Sequence, residues 1–155
     1  MRIRIVALGH RMPGWVTAGV DEYAKRIPRE YGIELVELKP APRDRGRSVP
    51  QLLADEARRL AQACEGAGIV ALDERGEAWS TRRLAERLRS WRDASADIAF
   101  VIGSADGLDE SLTRNAAARV SLSAMTLPHG LVRVLLVEQL YRAATLLSGH
   151  PYHRE

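Results

Sequence analysis

The sequence predicts a single α/β domain, residues 1–155, with a mostly parallel sheet covered by helices on both faces. Three observations carry this. Strand-like runs alternate with helix-period segments, strand first, five times along the chain. The runs are mostly short and apolar, as in strands buried on both faces, and do not keep up a long polar alternation. The chain has 155 residues, 46% of them hydrophobic, with no internal repeat, linker or low-complexity tract, which suits one domain around one core.

The elements follow in order. Arg2–Leu8 (RIRIVAL) alternates and then turns apolar, a strand. Gly9–Gly14 is a loop. Trp15–Arg29 is a helix with Val16, Val20, Tyr23 and Ile27 on one face. Ile33–Leu38 is a second strand, and Lys39–Val49 a basic loop bearing Pro and Gly. Pro50–Glu65 is a helix; Leu53, Ala57, Leu60 and Cys64 keep its spacing, and Pro50 suits a first turn. Gly68–Asp73 is a strand, Glu74–Trp79 a turn, Ser80–Asp93 a helix with Leu84, Leu88 and Trp91 inward. Asp97–Gly103 is a strand, Ser104–Gly107 a tight loop and Leu108–Ala118 a short helix. Arg119–Ser123 is the fifth strand, Ala124–Gly130 a loop, and Leu131–Ser148 the last helix.

Composition excludes several classes. No uncharged apolar run reaches the roughly 20 residues of a membrane span. MRIRIVALG is too short and too charge-interleaved for a secretory leader, so a cytoplasmic protein without membrane partners is expected. The single cysteine, Cys64, excludes an intrachain disulfide and a cysteine zinc cage. The first turn reads GHRMPG, not G-x-G-x-x-G, and there is neither a G-x-x-x-x-G-K-[ST] loop nor an H-E-x-x-H pair. Dinucleotide, P-loop and zinc-hydrolase chemistry are therefore not expected, and no metal is. The net charge is +3, and the cations are arginines except for Lys25 and Lys39. That permits phosphate contact, and is equally a compositional bias.

Ligands of open α/β sheets sit beyond the carboxyl ends of strands. Three such ends carry turn chemistry: Leu72–Gly76, Ile102–Gly107 and Leu122–His129. Ser104, Ala105, Ser123 and Ala124 are small and leave backbone groups reachable. A flat heterocycle such as adenine could lie between Leu72, Leu122, Met125 and Leu127. Any one of these segments is equally an ordinary strand-to-helix turn; taken together, a ligand site and plain turns are equally good readings.

The last helix is apolar nearly all round, which calls for burial nearly all round. In a chain this small that means its own sheet on one side and a second copy on the other: a homodimer. Glu138 and Arg142 stand at i, i+4 in the favourable order. Their pairing serves either a buried or interfacial ion pair or the shaping of a catalytic pocket. The tail HPYHRE follows after only Gly149. In it His153 could accept a proton, Arg154 bind phosphate and Tyr152 stack on a base.

The segments VALGHRMPGWV, LDERGEAWST, IGSADGL, SLSAMTLPHGLVRVLLVEQLYRA and the terminal HPYHRE together carry a resemblance. The chain resembles, end to end, the RlmH-type large-subunit ribosomal RNA pseudouridine methyltransferases of the SPOUT superfamily. The resemblance implies a homodimer with a trefoil knot in the carboxyl-terminal part of the sheet. It implies S-adenosylmethionine in the knot loops, against Leu72, Gly103, Leu122, Ser123, Ala124, Met125, Thr126 and Leu127. It implies methyl transfer to N3 of a pseudouridine in 23S RNA, met in the assembled 70S ribosome. Tyr152, His153 and Arg154 would complete the active site, with His153 as proton acceptor or base-positioning group and Arg154 on RNA phosphate or a ring carbonyl. Glu138 and Asp106 are rivals for the proton. Arg4, Arg11, Arg43, Arg45, Arg47 and Arg133 are the expected phosphate contacts. Two positions depart from the pattern: Ser104 where a second glycine is expected, and Gly130 where a proline is expected after His129. The competing readings are a catalytically inactive RNA- or ribosome-binding module of the same fold, and a small-molecule enzyme acting on a free nucleotide.

Overall fold

The structure is a computed structural model that describes residues 1–43 and 46–152. Five strands form one sheet: β1 (Ile3–Leu8), β2 (Ile33–Leu38), β3 (Gly68–Ala78), β4 (Ile98–Ile102) and β5 (Ala118–Ser121). Their order is β2-β1-β4-β3-β5, and every pairing is parallel. The helices are α1 (Gly14–Ala24), α2 (Val49–Ala63), α3 (Thr81–Asp93), α4 (Glu110–Asn115) and α5 (His129–Ser148), with a short 3-10 turn at Arg29–Tyr31. The expected alternation of strand and helix is therefore the observed one, with ends moved by a few residues.

Alternate residues of the buried strands feed two cores. Ile3, Ile5 and Ala7 with Ile98, Phe100 and Ile102 pack against α1, α3 and α5, where Val16, Leu88, Leu136 and Leu140 meet them. Val6, Leu8, Ala99 and Val101 face the other way, onto Leu60 and Ala57 of α2 and Leu112 beside them. All of β4 is buried, as the centre of a covered parallel sheet must be.

Local chemistry sets the helix starts. Ser48 and Gln51 form a reciprocal capping box at α2: the Gln51 N–H donates to Ser48 Oγ and the Ser48 N–H to Gln51 Oε1 (2.9 Å). Ser80 caps α3 and Asp109 caps α4 through side-chain oxygens. Gly149 closes α5 in the left-handed region (φ 70°).

One expected element is corrected. The turn at Glu74–Trp79 is the second half of a single long strand, β3. Val120 is in register with both Leu72 and Glu77, so the intervening residues bulge out of the ladder. Asp73 Oδ1 accepts the Arg75 N–H (2.8 Å), which folds the bulge locally. At Gly76 a side chain would run into the Val120 backbone, 2.6 Å from an added Cβ; this glycine lets the strand rejoin β5. The composition of this segment, DERGE, is that of a turn, so the pairing beyond it was hidden.

α5 lies against the sheet between α1 and α3. Burial covers its inner faces and leaves a half-buried outer stripe of Leu131, Leu135, Glu138, Gln139, Arg142 and Leu146. No described helix is long and apolar enough to cross a membrane.

Candidate active site at the carboxyl ends of three strands

The carboxyl ends of β3, β4 and β5 open into a cleft of about 470 Å³. Its walls include Leu72 and the bulge Asp73–Arg75, the turn Gly103–Gly107, and Leu122, Ser123, Met125, Thr126 and Leu127. His129 and Val132, on the first turns of α5, close one side. The three segments singled out in the sequence thus meet in one place. Of the residues expected to hold a cofactor, all but Ala124 line this cleft, and Ala124 is an exposed member of the same loop.

Each wall is shaped by its own bonds. At Gly103 an added Cβ would lie 2.4 Å from the Gly107 carbonyl oxygen, so the turn closes only on glycine. The Gly107 N–H donates to the Ser104 carbonyl (2.9 Å), and Gly107 has φ +87°. Ser104 is not among the described positive-φ residues, so its backbone tolerates a side chain. Its hydroxyl donates to Glu56 Oε2 (2.8 Å) and accepts from Arg43 Nη2 (3.0 Å). In the third wall Ser121 Oγ donates to the Ser123 carbonyl (2.8 Å), and Ser123 Oγ accepts the Met125 N–H (2.9 Å). Met125 is left 77% exposed at the rim. Arg119 Nη2 reaches Asp73 Oδ2 (2.9 Å) and ties the first wall to β5.

His129 lies against the Gly103 and Ser104 backbone, with a buried Nδ1 that has no hydrogen-bond partner. Burial first, then the Arg133 guanidinium, hold its pKa below the ordinary 6.5, so the ring is neutral at pH 7. Gly130 is explained by packing: a Cβ there would meet Val16 Cγ2 at 2.7 Å, so glycine lets α5 start close against α1.

The tail residue Tyr152 sits elsewhere. Its hydroxyl donates to Glu138 Oε1 (3.1 Å), its ring packs tilted against Tyr141 with centroids 4.5 Å apart, and the Arg142 guanidinium lies 5.0 Å from its ring centre. Burial, then the Glu138 charge, push the Tyr152 phenol up to about 12, so it stays protonated. Arg142 Nε also donates to Glu138 (2.9 Å); the expected i, i+4 pair exists and Tyr152 completes it. Glu138 lies nine positions beyond His129 on the helix, so this cluster is roughly 13 Å along the axis from the cleft wall of the same chain. His153 and Arg154 lie outside the described residues.

The expected phosphate contacts divide. Arg133 is corrected: it is 1% exposed, paired with Glu37 and donating to the Gly9 carbonyl (2.8 Å), so no phosphate reaches it. Arg4 stands at the amino end of β1, opposite the cleft, half-buried and donating to the Ala63 and Glu65 carbonyls (2.7 Å each) at the end of α2. Arg43 is turned inward onto Glu56 and Asp106. Arg11 is exposed in the loop after β1, at φ 55°, and Arg47 lies 4.0 Å from Asp55 with its side chain 37% exposed. Arg45 lies outside the described residues. Glu56 was missed, although the signal was present: a carboxylate at the centre of the Leu52–Glu56–Leu60 stripe of α2.

The cleft's chemistry fits an adenosyl group. Apolar Leu72, Leu122, Leu127 and Val132 offer faces for a heterocycle, and the glycine-bearing turn offers backbone N–H and C=O. Among the described residues no group of three or more His, Cys, Asp or Glu is placed to hold a metal ion.

Comparison with known proteins agrees with this geometry. A solved structure described as a probable methylase family protein from Haemophilus influenzae Rd KW20 matches with TM-score 0.57 at 14% identity, over 99% of this chain and 70% of that one, a likeness of fold. The chain is 54% identical over 155 residues to the ribosomal RNA large subunit methyltransferase H of Burkholderia multivorans, covering 99% of each. It is 56% identical over 156 residues to the protein of the same name from Nitrosospira multiformis, again covering 99% of each. The model of the family described as predicted SPOUT methyltransferase matches residues 1–153, and the chain belongs to that family.

Proposed function

We propose that this chain transfers a methyl group from S-adenosylmethionine to N3 of a pseudouridine in large-subunit (23S) ribosomal RNA, on the assembled 70S ribosome. The observation that carries the reading is the single cleft built from three strand ends, in a chain that matches rRNA large subunit methyltransferases over 99% of its length. The donor supplies, when bound, a methyl group already made electrophilic by its sulfonium charge.

The chain's own residues have three tasks. Leu72, Gly103 and Leu122–Leu127 would hold the donor and orient it toward the acceptor nitrogen; alignment of reacting groups is worth roughly 7–11 kcal/mol. His153 accepts or positions the N3 proton, and Arg154 holds a phosphate or ring carbonyl. Glu138 and Arg142 anchor the tail through Tyr152. Because that anchor holds Tyr152 away from the cleft of its own chain, the tail serves the cleft of a second copy. The half-buried leucines on the outer stripe of α5, with Trp15 58% exposed beside its amino end, support a homodimer through this face. The trefoil knot belongs to the same reading; the lodging of the start of α5 against the β4 turn supports it. Arg11 and Arg47 are the remaining described phosphate contacts, and association should weaken as salt rises.

The test is methylation of 70S particles from a strain lacking the protein, read by mass spectrometry of the 23S RNA. A single added methyl on one pseudouridine is expected. Heat on titration with S-adenosylmethionine but no added methyl would leave an inactive binding module, and methylation of free nucleotides would indicate a small-molecule enzyme.

A further inference from the structure

The cleft turn Gly103–Gly107 is held from behind by a buried carboxylate. Glu56, on α2, is 1% exposed. Its Oε1 accepts the Ala41 N–H (2.8 Å) and Arg43 Nη1 (2.7 Å), and its Oε2 accepts the Ser104 hydroxyl (2.8 Å). Arg43 completes the assembly. Nη1 also donates to the Ala41 carbonyl (2.7 Å), and Nη2 donates to Ser104 Oγ (3.0 Å) and Asp106 Oδ2 (2.7 Å). Both terminal nitrogens of the fork are therefore committed, each to two acceptors. The inner half of this network, Glu56 and Ser104, is buried, so a missing member there leaves the others without a partner, whereas Arg43 and Asp106 keep some solvent.

The position of this network gives it a use. Ser104 and Asp106 are cleft residues, whereas Glu56 and Arg43 stand behind the turn and do not line it. The backbone of the turn carries no Cβ at Gly103 and Gly107, so its shape is set by what holds Ser104 and Asp106. We propose that Glu56, acting through Arg43 and Ser104, is a positioning residue that fixes the donor-binding turn, and that in this chain the hydroxyl of Ser104 makes the connection. Arg43, in the basic segment before α2, thus serves the cleft and not the RNA. This rests on the reading of the cleft as the donor site.

The test is titration calorimetry with S-adenosylmethionine on the full-length wild type, Glu56→Gln, Ser104→Ala and the double variant, with steady-state methylation of 70S particles alongside. Gln keeps the volume of Glu56 but turns a donor toward Ser104. Each single variant should raise the donor Kd about tenfold, the worth of one net hydrogen bond. The double variant should be little worse than either single one, because both cut the same connection. For Glu56→Gln the loss should fall on the donor KM, with turnover at saturating donor within about twofold of wild type. Variants that lose stability in urea yet bind the donor with wild-type Kd would overturn the proposal and leave the network merely structural. Additive losses would also overturn it. Should Glu56→Gln fail to fold, Ser104→Ala decides alone. A wild type giving no heat with the donor would instead bring down the parent reading.

Discussion

The two ends of α5 carry the same kinds of residue in opposite circumstances. At the amino end Arg133 is 1% exposed and locked between Glu37 and the Gly9 carbonyl. Two to three turns on, Arg142 has 31% of its side chain exposed and shares Glu138 with Tyr152. In the sequence both are arginines in a largely apolar helix, one with Glu138 four residues before it and one without such a partner. The difference lies in what surrounds them. Arg133 points to the carboxyl ends of β1 and β2, which the sheet brings together from distant parts of the chain; Arg142 points to the outer face, beside Tyr152 of the tail. A charge buried and paired inside the fold is structural, even with its Nε left without a partner, whereas one at a half-open surface beside a phenol stays within reach of solvent.

The sharpest way to break this contrast is at the tail. His153→Ala should lower turnover on 70S particles at least about a hundredfold, the usual worth of a positioned proton acceptor, with the urea midpoint unchanged. Equal turnover would remove the tail from the chemistry. At the other end Arg133→Met should cost about 3 kcal/mol, the low side of the range for a broken buried pair because Glu37 keeps some solvent. That corresponds to roughly a 10 °C fall in Tm. The salt dependence of ribosome association should stay as in wild type; a flatter slope would return Arg133 to the RNA surface. Tyr152→Phe keeps the ring contact with Tyr141 and removes only the bond to Glu138. Stability should change by no more than about 1 kcal/mol, while turnover falls about tenfold as the tail loosens.

The smallest effect expected is a pH slope from His129. Its folded pKa is depressed, so the folded protein keeps the ring neutral while the unfolded chain gains a proton near the ordinary 6.5. The stability this group contributes is present above that value and is lost as pH falls through it toward the folded pKa. Urea midpoints from pH 7.5 to 5.5 should therefore fall less steeply in His129→Asn than in wild type. Identical slopes would mean that burial beside Arg133 does not govern this ring.

The alternation of apolar runs and helical periods was legible, because each element's period is written in adjacent residues. The three cleft walls were legible for the same reason: each is a local turn with its own glycines and small side chains. What lay hidden depends on distant neighbours. The bulge in β3 reads as a turn because Asp73 and Gly76 are turn residues, and only pairing with Val120 on both sides shows one strand. Arg133 and Arg4 look like surface cations because the carbonyls they satisfy belong to other elements. Glu56 could have been found, since a carboxylate in the middle of an apolar stripe needs a partner. The partner, Arg43, sits in a basic loop whose composition reads as a phosphate-binding surface.

The strand order carries one more consequence. β4 stands between β1 and β3, and β3 pairs with no strand that precedes it. A nascent chain that has emerged only as far as residue 97 can therefore form the β1–β2 pair, but leaves an apolar β3 with no edge to join. The sheet is completed across its middle by a later segment, so synthesis passes through an interval in which Val70 and Ala71 have no strand beside them. Such an interval exposes the chain to non-native pairing, and a protein made this way gains from rapid emergence of its last sixty or so residues.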